Sequence, residues 1–165
     1  DWKFEELSEQ VTSMKSRSFA NGKQLFTTVA CFACHQMNEI GGRVGPDLAK
    51  LEAKKDRLHI LRSMIEPSKE IDKKFEGWIV VTDIGKQFTG MKIAEDDTSV
   101  TLMPNPLGLE NCEPIVIKKD EIDIIQVSPI SLMPAKLLNT MSLEEVLDVI
   151  AYIESKGNPD HALFK

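Results

Sequence analysis

The sequence predicts a mainly α fold carrying an inserted small antiparallel β-sheet or barrel module, on three observations. Apolar residues recur at helical spacing near both ends of the chain. Between about residues 72 and 128 the period changes to two. That same middle segment holds most of the charge imbalance, with 11 acidic and 6 basic side chains against 15 and 14 elsewhere.

Phe4, Leu7, Val11 and Met14 predict a short amphipathic entry helix. Gly22, Leu25, Phe26 and Val29 follow the i, i+3, i+4, i+7 rule, so a second helix is expected from about Ser18 into Cys31. After the glycine-rich loop IGGRVGPD (40–47), Leu58, Leu61, Met64 and Ile65 mark a third helix that Pro67 stops. The last helix is expected over 142–156. Ser142 and Glu145 form its capping box, and Gly157 and Pro159 end it.

In the middle, WIVVT (78–82), QFTGMKI (87–93), SVTLM (99–103), PIVIK (114–118) and IDIIQV (122–127) are β-branched runs. The turn-like stretches DIGK, EDDT, NPLG and KKDE separate them. The implied organisation is a helical extension at 1–14, a discontinuous domain of 15–71 plus 129–156, a β-rich insertion at 72–128 and a C-terminal tail at 157–165, with His161 read as a solvated tail residue.

Composition excludes several classes. A net charge of −6 on 165 residues argues against nucleic acid as a partner, which needs clustered Lys and Arg. No apolar run approaches the roughly 20 residues of a membrane span, and the start DWKFEELSEQ is unlike a secretory signal. Three cysteines, two of them in one motif, make no disulfide framework.

That motif is CFACHQ, 31–36. Two thiols three residues apart, followed at once by an imidazole, are what covalent attachment of haem c requires: the thiols add to the porphyrin vinyl groups and the histidine reaches the iron. A zinc site needs further ligands, and Cys112, His59 and His161 are scattered. A redox dithiol should open a helix after a strand, whereas this motif closes one.

An electron-transfer haem takes a second axial ligand. Met14 and Met64 lie on apolar helix stripes, Met91 and Met103 in strands, and Met37 is too close to His35 to reach the opposite face. Met133, in the Pro-flanked stretch SLMPAKLL, is the preferred candidate, because a loop methionine can turn inward without unwinding an element. Met103 is the second candidate. His59 is read as a surface or half-buried helix residue and Cys112 as a buried or idle thiol.

Five segments, GKQLFTTVACFACHQ (22–36), GGRVGPDLA (41–49), IEPSKEI (65–71), TDIGKQFTG (82–90) and SLMPAKLLNTMSLEEVLDVIAYI (131–153), give the chain a wider resemblance. It resembles a class I monohaem cytochrome c, and more closely the haem-binding domain found in planctomycetes and verrucomicrobia. The resemblance implies a cytochrome c fold with a β-rich insertion before the methionine, and one haem c held through Cys31 and Cys34. His35 would be the proximal iron ligand and Met133 the distal one. Pro46 would offer its carbonyl to the His35 Nδ1–H, and Gly22 and Phe26 would meet Tyr152 where the first and last cytochrome helices cross. In TDIGK, Ile84 separates an Asp and a Gly expected side by side, which leaves the turn type open.

The function so implied is electron transfer, with no catalytic residue assigned. The partners would be a dehydrogenase donor, fused or separate, and a cytochrome or oxidase acceptor, in a periplasmic or otherwise exported location. A homodimer through the β insertion is a further expectation. The alternatives are a haem enzyme or gas or redox sensor with a labile distal ligand, and a docking or dimerisation module.

Overall fold

The computed structural model describes residues 1–107 and 112–165. Two helices, α1 (Phe4–Ser13) and α2 (Phe19–Thr28), lead to the single turn α3 (Cys31–Cys34), followed by the small ladder of β1 (Gln36–Met37) and β2 (Ile40–Gly41). Helix α4 (Arg57–Ile65) precedes five strands, β3 (Gly77–Thr82), β4 (Gln87–Glu95), β5 (Ser99–Pro104), β6 (Ile115–Lys118) and β7 (Ile122–Val127). Helix α5 (Leu143–Glu154) completes the order.

The helices share one core, in which Leu7, Val11, Phe26, Leu61, Val149 and Ile150 are buried. Helix α1, expected as an extension, thus contributes to the common core. Helices α2 and α5 cross at Gly22. A Cβ there would stand 2.3 Å from the Asp148 carbonyl oxygen and 2.9 Å from Tyr152 Cβ, so only hydrogen fits. Around this crossing Phe26 and Phe19 tilt against the Tyr152 ring, with centroids 5.5 and 5.4 Å away. Asp148 is buried there and fully used: Oδ1 accepts the Ser18 N–H at 3.0 Å and Oδ2 the Asn21 side-chain amide at 2.8 Å.

Helix α2 stops at Thr28 instead of running into Cys31. Ala30 adopts a left-handed conformation (φ 68°), which a right-handed helix cannot contain. The cysteine turn therefore restarts in a new direction. The last helix has the expected capping box, Ser142 with Glu145, and a left-handed Gly157 (φ 71°) just beyond it. The final residues fold back onto the helices at Leu163. Leu163 is buried, its carbonyl accepts the Arg17 N–H at 2.7 Å, and Phe164 packs edge-on against Phe19.

The five β-branched runs form one antiparallel sheet in the order β6-β5-β4-β3-β7, with register pairs such as Val80↔Ile125, Met91↔Met103 and Val100↔Ile117. Strands β6 and β7 occupy opposite edges, yet only residues 119–121 join them. Four strand spacings would put flat edges about 19 Å apart, beyond the roughly 14 Å that four residue steps span. The sheet must therefore curl toward a barrel that stays open between β6 and β7. Its interior is a separate apolar cluster of Val80, Val100, Leu102 and Ile117. At the β3–β4 turn the Gly85 N–H bonds to the Thr82 carbonyl and Gly85 takes φ 78°, so Ile84 sits in a three-residue loop closed by a left-handed glycine. The turn expected at NPLG runs into residues 108–111, outside the described residues.

Candidate haem cleft

Cys31 and Cys34 stand one helical turn apart on α3, which brings their side chains to one side. His35 leaves the turn extended, with its N–H bonded to the Cys31 carbonyl at 2.8 Å. The loop 41–47 then wraps the motif: the Gly42 N–H bonds to the Phe32 carbonyl at 3.0 Å and the Gly45 N–H to the Cys34 carbonyl at 2.8 Å. Gly45 is there because the imidazole lies against it. A Cβ at 45 would be 2.6 Å from His35 Cε1 and 2.7 Å from Nδ1.

One step further along the loop, the Pro46 carbonyl oxygen is 3.0 Å from His35 Nδ1. The carbonyl can only accept, so Nδ1 carries the proton and Nε2 keeps a lone pair. Burial pushes the imidazole below its ordinary pKa against the opposing pull of that carbonyl, and the ring stays neutral. Burial also pushes the Cys31 thiol up to about 11, helped by nearby Cys34, and raises Cys34. Both sulfurs are therefore protonated near neutrality. A redox dithiol would need the opposite shift.

These residues line a cleft of about 520 Å³, well within the range of cofactor sites. Cys31, Cys34, His35, Pro46 and Met133 all contribute to its wall. Leu48, Ile60 and Ile153 give it an apolar floor, while Lys50, Lys55, His59, Glu70 and Lys74 give it a charged rim. Met64, assigned from sequence to core packing, is buried and also lines the cleft, so the wall holds two thioethers. Met103 is elsewhere. It lies on β5, outside this wall, with Sδ 3.9 Å from the Cys112 Sγ. Cys112 is half-buried and its thiol donates to the Pro104 carbonyl at 3.3 Å. His59 sits half-buried at the rim, and His161 accepts the Leu163 N–H beyond α5.

Met133 stands on a loop pinned from several sides. Its own N–H bonds to Ser131 Oγ at 3.1 Å, the Ser131 N–H to Ser68 Oγ at 3.0 Å, and the Leu132 carbonyl accepts the Asn105 side-chain amide at 2.6 Å. Sequence reasoning missed Asn105, Ser68 and the cradle at Gly45. Only the glycine had a local signal, in the density of glycines just before Pro46.

The residues fit a c-type haem. A flat amphipathic macrocycle would meet an apolar floor and a charged rim, two protonated thiols stand on one turn, and a neutral imidazole with its far nitrogen fixed lines the same space. Among the described residues no group of three or more His, Cys, Asp or Glu stands together as metal ligands, so the thiols lack the companions of a tetrahedral zinc site. Residues 19–98, from the start of α2 into the β4–β5 turn, match the family model described as Cytochrome c. That match supports a cytochrome c family and haem-based electron transfer. No curated protein matches the chain.

Proposed function

We propose that this protein is an electron carrier of the planctomycete and verrucomicrobial haem-domain type, holding one haem c through Cys31 and Cys34 with His35 and Met133 as axial ligands. The observation that carries the reading is that both thiols, the pinned imidazole and the loop thioether line one and the same cleft. A haem held there supplies a one-electron ferric/ferrous couple. The protein's part is to fix and to shield. The Pro46 carbonyl sets the His35 tautomer and raises the basicity of Nε2, Gly45 backs the ring, and the apolar floor would limit water around a bound group. Were His35 and Met133 both to hold the iron, substrate chemistry at the metal would be disfavoured, and a methionine sulfur would favour the ferrous state relative to a second histidine.

Residues 72–128 are proposed as an inserted module, since the sheet has its own apolar cluster. The exchange partners are proposed to be a dehydrogenase, fused or separate, and a cytochrome or oxidase, in an exported compartment where haem is attached to such motifs. No helix among the described residues is long and apolar enough to cross a membrane.

A second reading, dimerisation, has its own observation. Strand β7 is a sheet edge on which Ile124, Ile125 and Val127 are exposed and Asp123 is the only charge. Antiparallel pairing with a second copy about Ile124 sets Asp123 opposite Ile125, so no like charges meet. Ile124→Lys is then expected to shift sedimentation from dimer to monomer, and a wild-type monomer at high concentration would end this reading.

Covalent attachment is tested by mass spectrometry of the denatured, haem-matured protein. One haem should remain bound, and Cys31→Ala with Cys34→Ala should release it. Haem that extracts into acid acetone from the unmutated protein would contradict the proposal.

A further inference from the structure

We infer that Asn105 is a positioning residue for Met133, and that through it the sheet clamps the distal loop of the haem cleft. The inference rests on the assignment of Met133 as an axial ligand. Asn105 follows the last residue of β5, and its side-chain Nδ2 donates to the Leu132 carbonyl at 2.6 Å, 27 positions away. Its Oδ1 accepts the Leu107 N–H at 3.0 Å, which fixes which end of the amide faces the loop. Both ends of the side chain are therefore committed.

The clamp has further contacts from the sheet. Leu132 packs against Gly77 at the start of β3, where a Cβ would come within 3.2 Å of Leu132 Cγ and Cδ2. Ser128, just past β7, is buried, gives its N–H to the Gly77 carbonyl at 2.7 Å, and accepts the Ile130 N–H on Oγ at 3.1 Å. Ser68 holds the Ser131 N–H from the segment after α4. Residues 130–132 are thus held between the sheet and that segment, and the thioether of Met133 projects from a backbone with little freedom to withdraw. Withdrawal of the Met133 thioether from a bound iron would require this loop to move and these bonds to break, so loss of one of them would let the sulfur leave more readily.

The test uses ferric, haem-loaded protein titrated with imidazole, which competes for the methionine position. Asn105→Leu removes the amide, while Asn105→Asp keeps the shape and the acceptor for Leu107 but replaces the donor. Both should bind imidazole about tenfold more tightly than wild type, the effect of one lost part-buried hydrogen bond. Val100→Ala, which opens a cavity in the sheet interior away from the loop, should lower the unfolding temperature and leave the imidazole affinity unchanged. Unchanged affinity in both Asn105 variants, or an equal gain in Val100→Ala, would overturn the clamp while leaving the ligand assignment intact. A wild-type spectrum without the long-wavelength methionine–iron band would overturn the assignment, and the clamp with it.

Discussion

Gly45→Ala is the substitution whose consequence the geometry specifies most closely. The new methyl would lie 2.6 Å from His35 Cε1, 2.7 Å from Nδ1 and 3.1 Å from Nε2, so it meets the face of a rigid ring that has no flexible end to give way. The ring must move about 0.8 Å or more to reach ordinary van der Waals distance. Overpacking of this kind costs about 1–3 kcal/mol. The Nδ1–H bond to the Pro46 carbonyl, at 3.0 Å, would stretch or break, adding roughly 1 kcal/mol. A total loss of about 2–4 kcal/mol should be read by denaturant unfolding of the haem-loaded protein.

The same change has an electronic signature. Without the carbonyl the imidazole is a poorer donor, so ferric iron is less stabilised and the midpoint potential should rise. If about 1 kcal/mol of that preference is lost, a one-electron couple moves by about 40 mV, on the scale of about 59 mV per tenfold change. Gly85→Ala is the control, since a Cβ at 85 meets nothing within 4 Å and only the backbone conformation (φ 78°) is disfavoured. It should lower stability and leave the potential alone. Equal stability and equal potential in Gly45→Ala and wild type would refute the packing argument.

Two other outcomes are expected. Gly22→Ala should destabilise the α2–α5 crossing by about 1–3 kcal/mol without altering the visible spectrum, because its Cβ would collide with the Asp148 carbonyl, which belongs to a helix and cannot yield cheaply. Asp96, held by the Thr98 and Ser99 N–H groups and hydroxyls, has its carboxyl lowered to about 2 from 3.8. The unfolded chain binds that proton more tightly, so the contribution to stability is complete above about pH 3.8 and is lost as pH falls through about 2. NMR titration of the Asp96 carboxyl carbon should find the low midpoint, and a midpoint near 4 would count against it.

Much of the fold was legible because its signals are local. The runs at 78–82, 87–93 and 122–127 are β-branched stretches between turn residues, and they coincide with β3, β4 and β7. Ser142 and Glu145 cap α5 through bonds that span three residues. The end of α2 was misjudged because the interruption is conformational: Ala30 is a good helix former by composition, yet it is left-handed here. The folded-back C-terminus was missed because Leu163 is buried by contacts with distant residues.

The cleft divides along the same line. CFACHQ is readable as a unit, and the GGRVGP loop 11 positions from His35 to Pro46 is close enough to suggest a partner for the imidazole. Asn105 and Ser68 hold the Met133 loop from 27 and 63 positions away, and nothing in their local sequence says so. Met64 reaches the cleft from an apolar helix stripe, where periodicity alone reads as core.

The central claim, an iron held between His35 and Met133, is tested most directly by the visible spectrum of the ferric, haem-matured protein and of its Met133→Ala and Met64→Ala variants. The expected result is a weak long-wavelength band of iron bonded to methionine sulfur, retained in Met64→Ala and abolished in Met133→Ala. A band lost in Met64→Ala and kept in Met133→Ala, or a wild-type spectrum of high-spin or bis-histidine iron, would contradict it.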